Sequence, residues 1–293
     1  MTLVLDGHVV SVAAVTALGA GVGVVAGMFG VGGGFLMVPL MHVALGIPLP
    51  FAVGAALCQT IATGLAAFLR YRKLGLAEWR FDAIALAGSL VGVDAGTRLL
   101  LAMEGMGTVV VAGKPLAVQR AVVSGVYAVS FTVLAYVLWC KTTPGVDEEV
   151  QPGPLARIRL PPYIDLPAAG LRRVSAPAVA YTGLANGVLA GLLGIGGGIM
   201  MIPILLYGFG FHIRRAAGSG ILIVLAVAVL ATVQHAHYRT IHLGLVIPLM
   251  VGAALAAQVG ANLTRTLPAR TLRRGLAVVL LATVAALLFK LTR

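Results

Sequence analysis

Two runs of glycine hold the most distinctive chemistry in this chain. Gly30-Val31-Gly32-Gly33-Gly34 recurs as Gly194-Ile195-Gly196-Gly197-Gly198, each inside a long apolar stretch and each followed by a proline, Pro39 or Pro203. Adjacent glycines leave backbone amides with no side chain in front of them. Each glycine in a helix interior costs about 1 kcal/mol relative to alanine, so three in a row break a helix. A helix that restarts around Phe35 or Ile199 points free N–H groups and the positive end of its dipole into the break, which suits an anion. Gly32, Gly33, Gly34, Gly196, Gly197 and Gly198 are therefore candidate substrate contacts through their main chain. A tight turn with no ligand is the competing reading, and both can hold at once.

Polar side chains inside apolar runs come next, because a polar group in hydrocarbon is costly and faces a cavity or a partner. Gln59 and Thr60 offer amide and hydroxyl donors suited to an oxyanion, with Thr63 nearby; the alternative is a helix–helix hydrogen bond worth about 0.6 kcal/mol. Asn186, Gln258 and Asn262 pose the same choice and read first as packing, with Gln258 kept as a candidate coupling or gating residue. Asp94 and Arg98 lie four apart and face each other on one helix, as an ion pair or, for Asp94, as a proton relay. His235, His237 and His242 cluster with Arg239, and His235 is a candidate for coupling protons to function. His235 and His237 point in different directions two positions apart, so no metal site is expected. Cys58 and Cys140 are distant and in apolar surroundings, which argues against a disulfide framework or zinc. Gly21-Val22-Gly23 with Ala26 fits a loose dinucleotide fingerprint but lacks the preceding strand. No cofactor is expected.

The elements that position these residues follow from composition. Sixty per cent of the 293 residues are hydrophobic and 10% are charged, against roughly a quarter charged in soluble domains. The expected class is an all-α polytopic membrane protein in a lipid bilayer, monomeric or homodimeric. Its net charge of +12 comes from basic residues in short gaps between apolar runs, so they read as topology signals; no nucleic-acid-binding motif accompanies them. No basic residue precedes the first apolar run and no cleavage site is evident, so that run reads as a retained helix.

The apolar segments run over 9–47, 50–69, 81–103, 120–139, 176–210, 216–234, 243–263 and 275–292. The two longest exceed the ~20 residues of one span and hold the glycine runs. Each is either one broken helix, giving four plus four parallel spans, or a helical hairpin, giving five plus five elements and inverted repeats. Counting Lys and Arg, the second arrangement places 15 on one side and 6 on the other, the first 12 and 9. The positive-inside rule favours inverted repeats with the N-terminus outside. The domain reading is repeat 1 over 1–139, a Pro- and Gly-rich cytoplasmic linker of little structure over 140–175, and repeat 2 over 176–293. A shift of 164 residues also aligns Gly19, Gly23 and Gly27 with Gly183, Gly187 and Gly191, and Gly88, Gly92 and Gly96 with Gly252, Ala256 and Gly260. Small residues at this spacing let membrane helices approach closely.

The stretches Gly27-Met-Phe-Gly-Val-Gly-Gly-Gly-Phe-Leu-Met-Val-Pro39 and Gly191-Leu-Leu-Gly-Ile-Gly-Gly-Gly-Ile-Met-Met-Ile-Pro203 resemble the paired signature of the sulfite exporter TauE/SafE family, also called the toluene sulfonate uptake permease family. The resemblance covers nearly the whole chain. It implies a carrier of sulfite, sulfonates, thiosulfate or other small organic anions in the bacterial inner membrane. Leu57-Cys58-Gln59-Thr60-Ile61 occupies the place of a Phe-Gln-Ile-like segment in relatives. Thr232-Val233-Gln234-His235-Ala236 is similar to a Leu-His-Ala stretch, and Gln258-Val259-Gly260 to a Gln-x-Gly. The chain departs at Gly218-Ser219-Gly220-Ile221-Leu222-Ile223, where many members carry Gly-Thr-Ser and a glutamine, so a symmetric pair of glutamine ligands is not implied.

The leading expectation is a secondary transporter of a small anion, with sulfite or an organosulfonate first, driven by a proton or ion gradient. A passive anion channel is the second class. An intramembrane enzyme built on Ser219 and His235 is the third.

Overall fold

The computed structural model describes residues 2–5, 8–29, 34–72, 78–111, 114–140, 152–167, 169–211, 213–264 and 269–292. Gly30, Gly32 and Gly33 lie outside the described residues, so the first break is seen through Gly34 alone.

Each half of the chain contributes five helical elements in the same order. The first half holds α1 (Val12–Phe29), α2 (Gly34–Leu45), α3 (Leu49–Arg72), α4 (Trp79–Ala102) and α5 (Val118–Cys140). The second holds α6 (Ala176–Leu193), α7 (Gly198–Pro203) continued by a π-helical turn over Ile204–Phe209, α8 (Ile213–His237), α9 (Leu243–Thr264) and α10 (Ala269–Thr292). Both half-helices, α2 and α7, begin at the last glycine of their run and carry their proline inside. Five helices are long and apolar enough to cross a membrane among the described residues, and five shorter apolar helices accompany them. The chain is a multi-pass membrane protein.

Three short antiparallel hairpins complete the fold: β1 (Thr2–Leu5) with β2 (His8–Ser11), β3 (Thr108–Val111) with β4 (Lys114–Ala117), and β5 (Tyr163–Leu166) with β6 (Leu171–Ser175). The last corrects the expectation of a linker with little structure. Residues 152–175 pack down because they bring apolar side chains: Leu166, Leu171 and Val174 are buried, and the Leu155 amide donates to the Gly208 carbonyl at 2.9 Å. The hairpin ends in Ser175, whose hydroxyl caps α6 by accepting the Ala178 amide.

The core is built on two glycine seams related by the 164-residue shift. In α4, a Cβ at Gly88, Gly92 or Gly96 would collide with the carbonyls of Ala180, Leu184 and Val188 on α6, and Gly183, Gly187 and Gly191 return the contact against Ala85, Ser89 and Val93. The partner seam sets Gly19 and Gly23 of α1 against Leu249 and Ala253 of α9, and Gly252 and Gly260 against Thr16 and Val24. Backbones this close exclude any side chain, the packing that small-residue spacing anticipates. In both seams residue numbers rise together, so the paired helices run parallel. Between the seams, Gly54 of α3 lies against Thr240, just past the end of α8, and Gly64 against Leu225. Here numbers run oppositely: the equivalent helices α3 and α8 pass each other antiparallel.

Candidate functional site

The second glycine run is a built backbone turn. Gly194, Gly196 and Gly197 have φ of 71°, 60° and 74°, the left-handed region that costs other residues roughly 1–2 kcal/mol each. The end of α6 before it is held by donors from three directions. The Gly194 amide closes on the Ala190 carbonyl at 2.9 Å, His235 Nε2 donates to the Gly191 carbonyl at 3.2 Å, and the Tyr127 hydroxyl donates to the Leu193 carbonyl. Two of the orphan carbonyls of the helix end, Gly191 and Leu193, are thus satisfied, and α5 and α8 are tied to the break.

The two breaks meet at Thr60. A Cβ on Gly34 would strike Thr60 Oγ1 and come within 3.3 Å of the Gly194 carbonyl, and one on Gly196 would lie 2.6 Å from Thr60 Cγ2. One residue on, a Cβ at Gly197 would run into the side-chain amide of Asn186. Thr60 spends its hydroxyl proton on the Ala56 carbonyl at 2.9 Å, which leaves its oxygen as an acceptor. Gln59 and Asn186 are each 1% exposed, and neither amide group has a hydrogen-bond partner among the described residues. A buried polar group left unmatched costs about 1–3 kcal/mol.

This polar set is one-sided. By the 164-residue shift, Gln59, Thr60 and Asn186 correspond to Ile223, Val224 and Val22, all buried and apolar. The fold thus holds hydrocarbon at the corresponding places of the other half. The substitution at Ile223 is the departure from a symmetric glutamine pair visible in the sequence.

The remaining candidates lie elsewhere. Asp94 and Arg98 form an ion pair at 2.9 Å with the guanidinium well exposed, and Gln234 Nε2 donates to Asp94 Oδ1 at 3.2 Å, tying α4 to α8. His235 is fully buried, and besides Gly191 its Nδ1 meets the Thr240 hydroxyl at 2.8 Å; both ring nitrogens are engaged, which makes it a positioning residue for the break. Gln258 is exposed on α9. Ser219 and His235 lie 16 residues apart on the single helix α8, about 24 Å at 1.5 Å per residue, too far for a nucleophile and its base. Asn186, which reads first as packing in the sequence, lies against Gly197 at the second break, and its counterpart by the 164-residue shift is the apolar Val22.

Over residues 15–287 the chain matches the family described as "Sulfite exporter TauE/SafE". The chain belongs to the sulfite exporter TauE/SafE family. Two curated relatives, from Xylella fastidiosa strains 9a5c and Temecula1, each carry the name "Probable membrane transporter protein". Each is 35% identical over 77 residues, covering 26% of this chain and 30% of the relative. The match therefore spans less than a third of those relatives' length. No solved structure matches the chain. For a member of the TauE/SafE family, the meeting of both signature glycine runs at one buried polar cluster is the feature of greatest functional interest.

Proposed function

We propose that this TauE/SafE-family chain is a secondary transporter of a small anion, with sulfite or an organosulfonate as the substrate class. The observation that carries the reading is the convergence of Gly34, Gly196 and Gly197 on Thr60 and Asn186; the buried amide of Gln59, the residue before Thr60 on α3, has no partner among the described residues. The N–H groups of Gln59 and Asn186 and the first amides of α2 and α7 supply donors to substrate oxygens; the Thr60 hydroxyl, already donating, orients the glycine turn. Gly32 and Gly33 belong to the same proposed site by their place in the motif.

The proposed architecture is two inverted repeats that rock about this site, with the glycine breaks as hinges. Support comes from the antiparallel passage of α3 and α8. Helices at the same place in two parallel repeats run the same way; in inverted repeats they run oppositely. The same arrangement concentrates Lys and Arg on one side and puts the N-terminus in the periplasm of a bacterial inner membrane. We take residues 1–139 and 176–293 as the repeats, with 140–175 joining them on the cytoplasmic side.

The reading is tested by loading the purified chain into liposomes and following sulfite, sulfate, thiosulfate, taurine, sulfoacetate and small carboxylates. Saturable accumulation of at least one sulfur anion against its gradient is expected. Flux that never exceeds equilibration indicates a channel instead.

A further inference from the structure

We propose that Glu78, Asp82 and Ser219 form a proton-binding site at the start of α4, with Asp82 carrying the proton whose gradient drives the anion; this rests on the transporter reading above. All three side chains are buried, at 1%, 1% and 0% exposure. The Glu78 amide donates to Ser219 Oγ at 2.8 Å, and Glu78 Oε2 accepts the Ala169 amide of the β5–β6 turn at 3.1 Å. Asp82 sits one helical turn on, on the same face as Glu78 and beside the Ser219 hydroxyl. Among the described residues neither of its carboxylate oxygens has a partner at full hydrogen-bonding geometry, with the Ser219 hydroxyl the polar group at its side, and no ion pair reaches either acid.

On α8, the half-buried Arg215 lies one turn before Ser219. On β5, the Asp165 carboxylate holds the Arg173 amide at 2.9 Å while its carbonyl holds the exposed Arg80. Among the described residues neither Arg215 nor Arg80 pairs with Asp82. A helix start favours an anion by about 1 kcal/mol, whereas burying an ion costs several. A bound proton removes that charge and, unlike a metal ion, needs no further ligands.

The second repeat supplies an independent argument. Glu78, Asp82 and Ser219 correspond there to His242, Val246 and Ala55, and Val246 and Ala55 are buried. The fold fills this place with hydrocarbon at one end of the molecule and with a carboxyl group at the other. Asp82 takes the proton from water on one side and returns it to water on the other, with no other bond made or broken.

The test uses full-length protein in liposomes containing a pH dye, with an anion that the wild type carries. Wild-type uptake should move protons with the anion, and an imposed pH gradient should drive accumulation. Asp82→Asn and Asp82→Val, the latter copying the natural residue of the other repeat, should abolish both while exchange of labelled for unlabelled anion stays within about twofold. Two variants keep the test open if one fails to fold. Proton movement and pH-driven accumulation that survive in either folded variant overturn the proposal, as does wild-type anion flux without protons. Accumulation driven by sodium and lost in both variants also overturns it, in favour of a metal cation. A wild type that carries none of the anions defeats the transporter reading instead.

Discussion

Thr60 of α3 and Asn186 of α6 stand on either side of the Gly196–Gly197 peptide. A Cβ on the first glycine would lie 2.6 Å from Thr60 Cγ2, and one on the second would strike the Asn186 amide. Side chains from both halves of the chain therefore lie against the second break, and Gly34 brings the first break to the same threonine.

Because the Gln59 and Asn186 amides are buried with no partner among the described residues, replacing them with leucine removes a cost. Gln59→Leu and Asn186→Leu should leave thermal stability unchanged or raise it, by up to about 1–3 kcal/mol each, while anion transport falls at least tenfold. Unfolding in detergent and liposome uptake check the two halves. A loss of stability with transport intact would mark both as packing residues.

Gly197 answers to two constraints that can be separated. Gly197→Ala combines a left-handed backbone at φ 74° with a clash against Asn186. A destabilisation of about 1–3 kcal/mol and loss of transport are expected. In the double variant Asn186→Ala/Gly197→Ala the clash is relieved and the backbone strain remains, so melting should recover only in part.

The seams make position-specific demands. Gly92→Leu drives a side chain into the Leu184 carbonyl, whereas a Cβ at Gly125 on α5 meets nothing within 4 Å. Gly92→Leu should abolish a monodisperse folded species on size-exclusion chromatography. Gly125→Ala should be neutral or stabilising by up to about 1 kcal/mol.

Tyr127→Phe leaves the Leu193 carbonyl without the hydroxyl that caps it. Stability should drop by about 1–3 kcal/mol, and the break should loosen, so transport should weaken more through affinity than through maximal rate. Concentration-dependent uptake separates the two.

Inversion is checked by labelling. With Cys58 replaced by serine, the exposed Cys140 should react from the cytoplasmic side and a cysteine at Arg239 from the periplasmic side. Reaction of both from one side would contradict the proposed topology.

Much of this fold is written in the repeat. The glycine spacing marks both seams, and the triple glycines mark where α2 and α7 restart, at Gly34 and Gly198 rather than one residue later. The β5–β6 hairpin is not legible in the sequence because Pro, Gly and charged residues around it mask the few apolar side chains, Leu166, Leu171 and Val174, that dock it. In the site, Gln59 and Thr60 stand out as polar residues in an apolar run. Asn186 stands out in the same way but reads first as packing, and Asp82, elsewhere in the fold, draws attention only when set beside Val246. Burial with no partner is a tertiary property, and periodicity cannot report it.

The most direct measurement of the central claim is sulfur-anion uptake by the double variant Gln59→Leu/Asn186→Leu beside the wild type, in liposomes holding equal amounts of folded protein. The account predicts saturable uptake by the wild type and none above background by the variant. Equal uptake by both would contradict the placement of the anion at the meeting point of the glycine breaks.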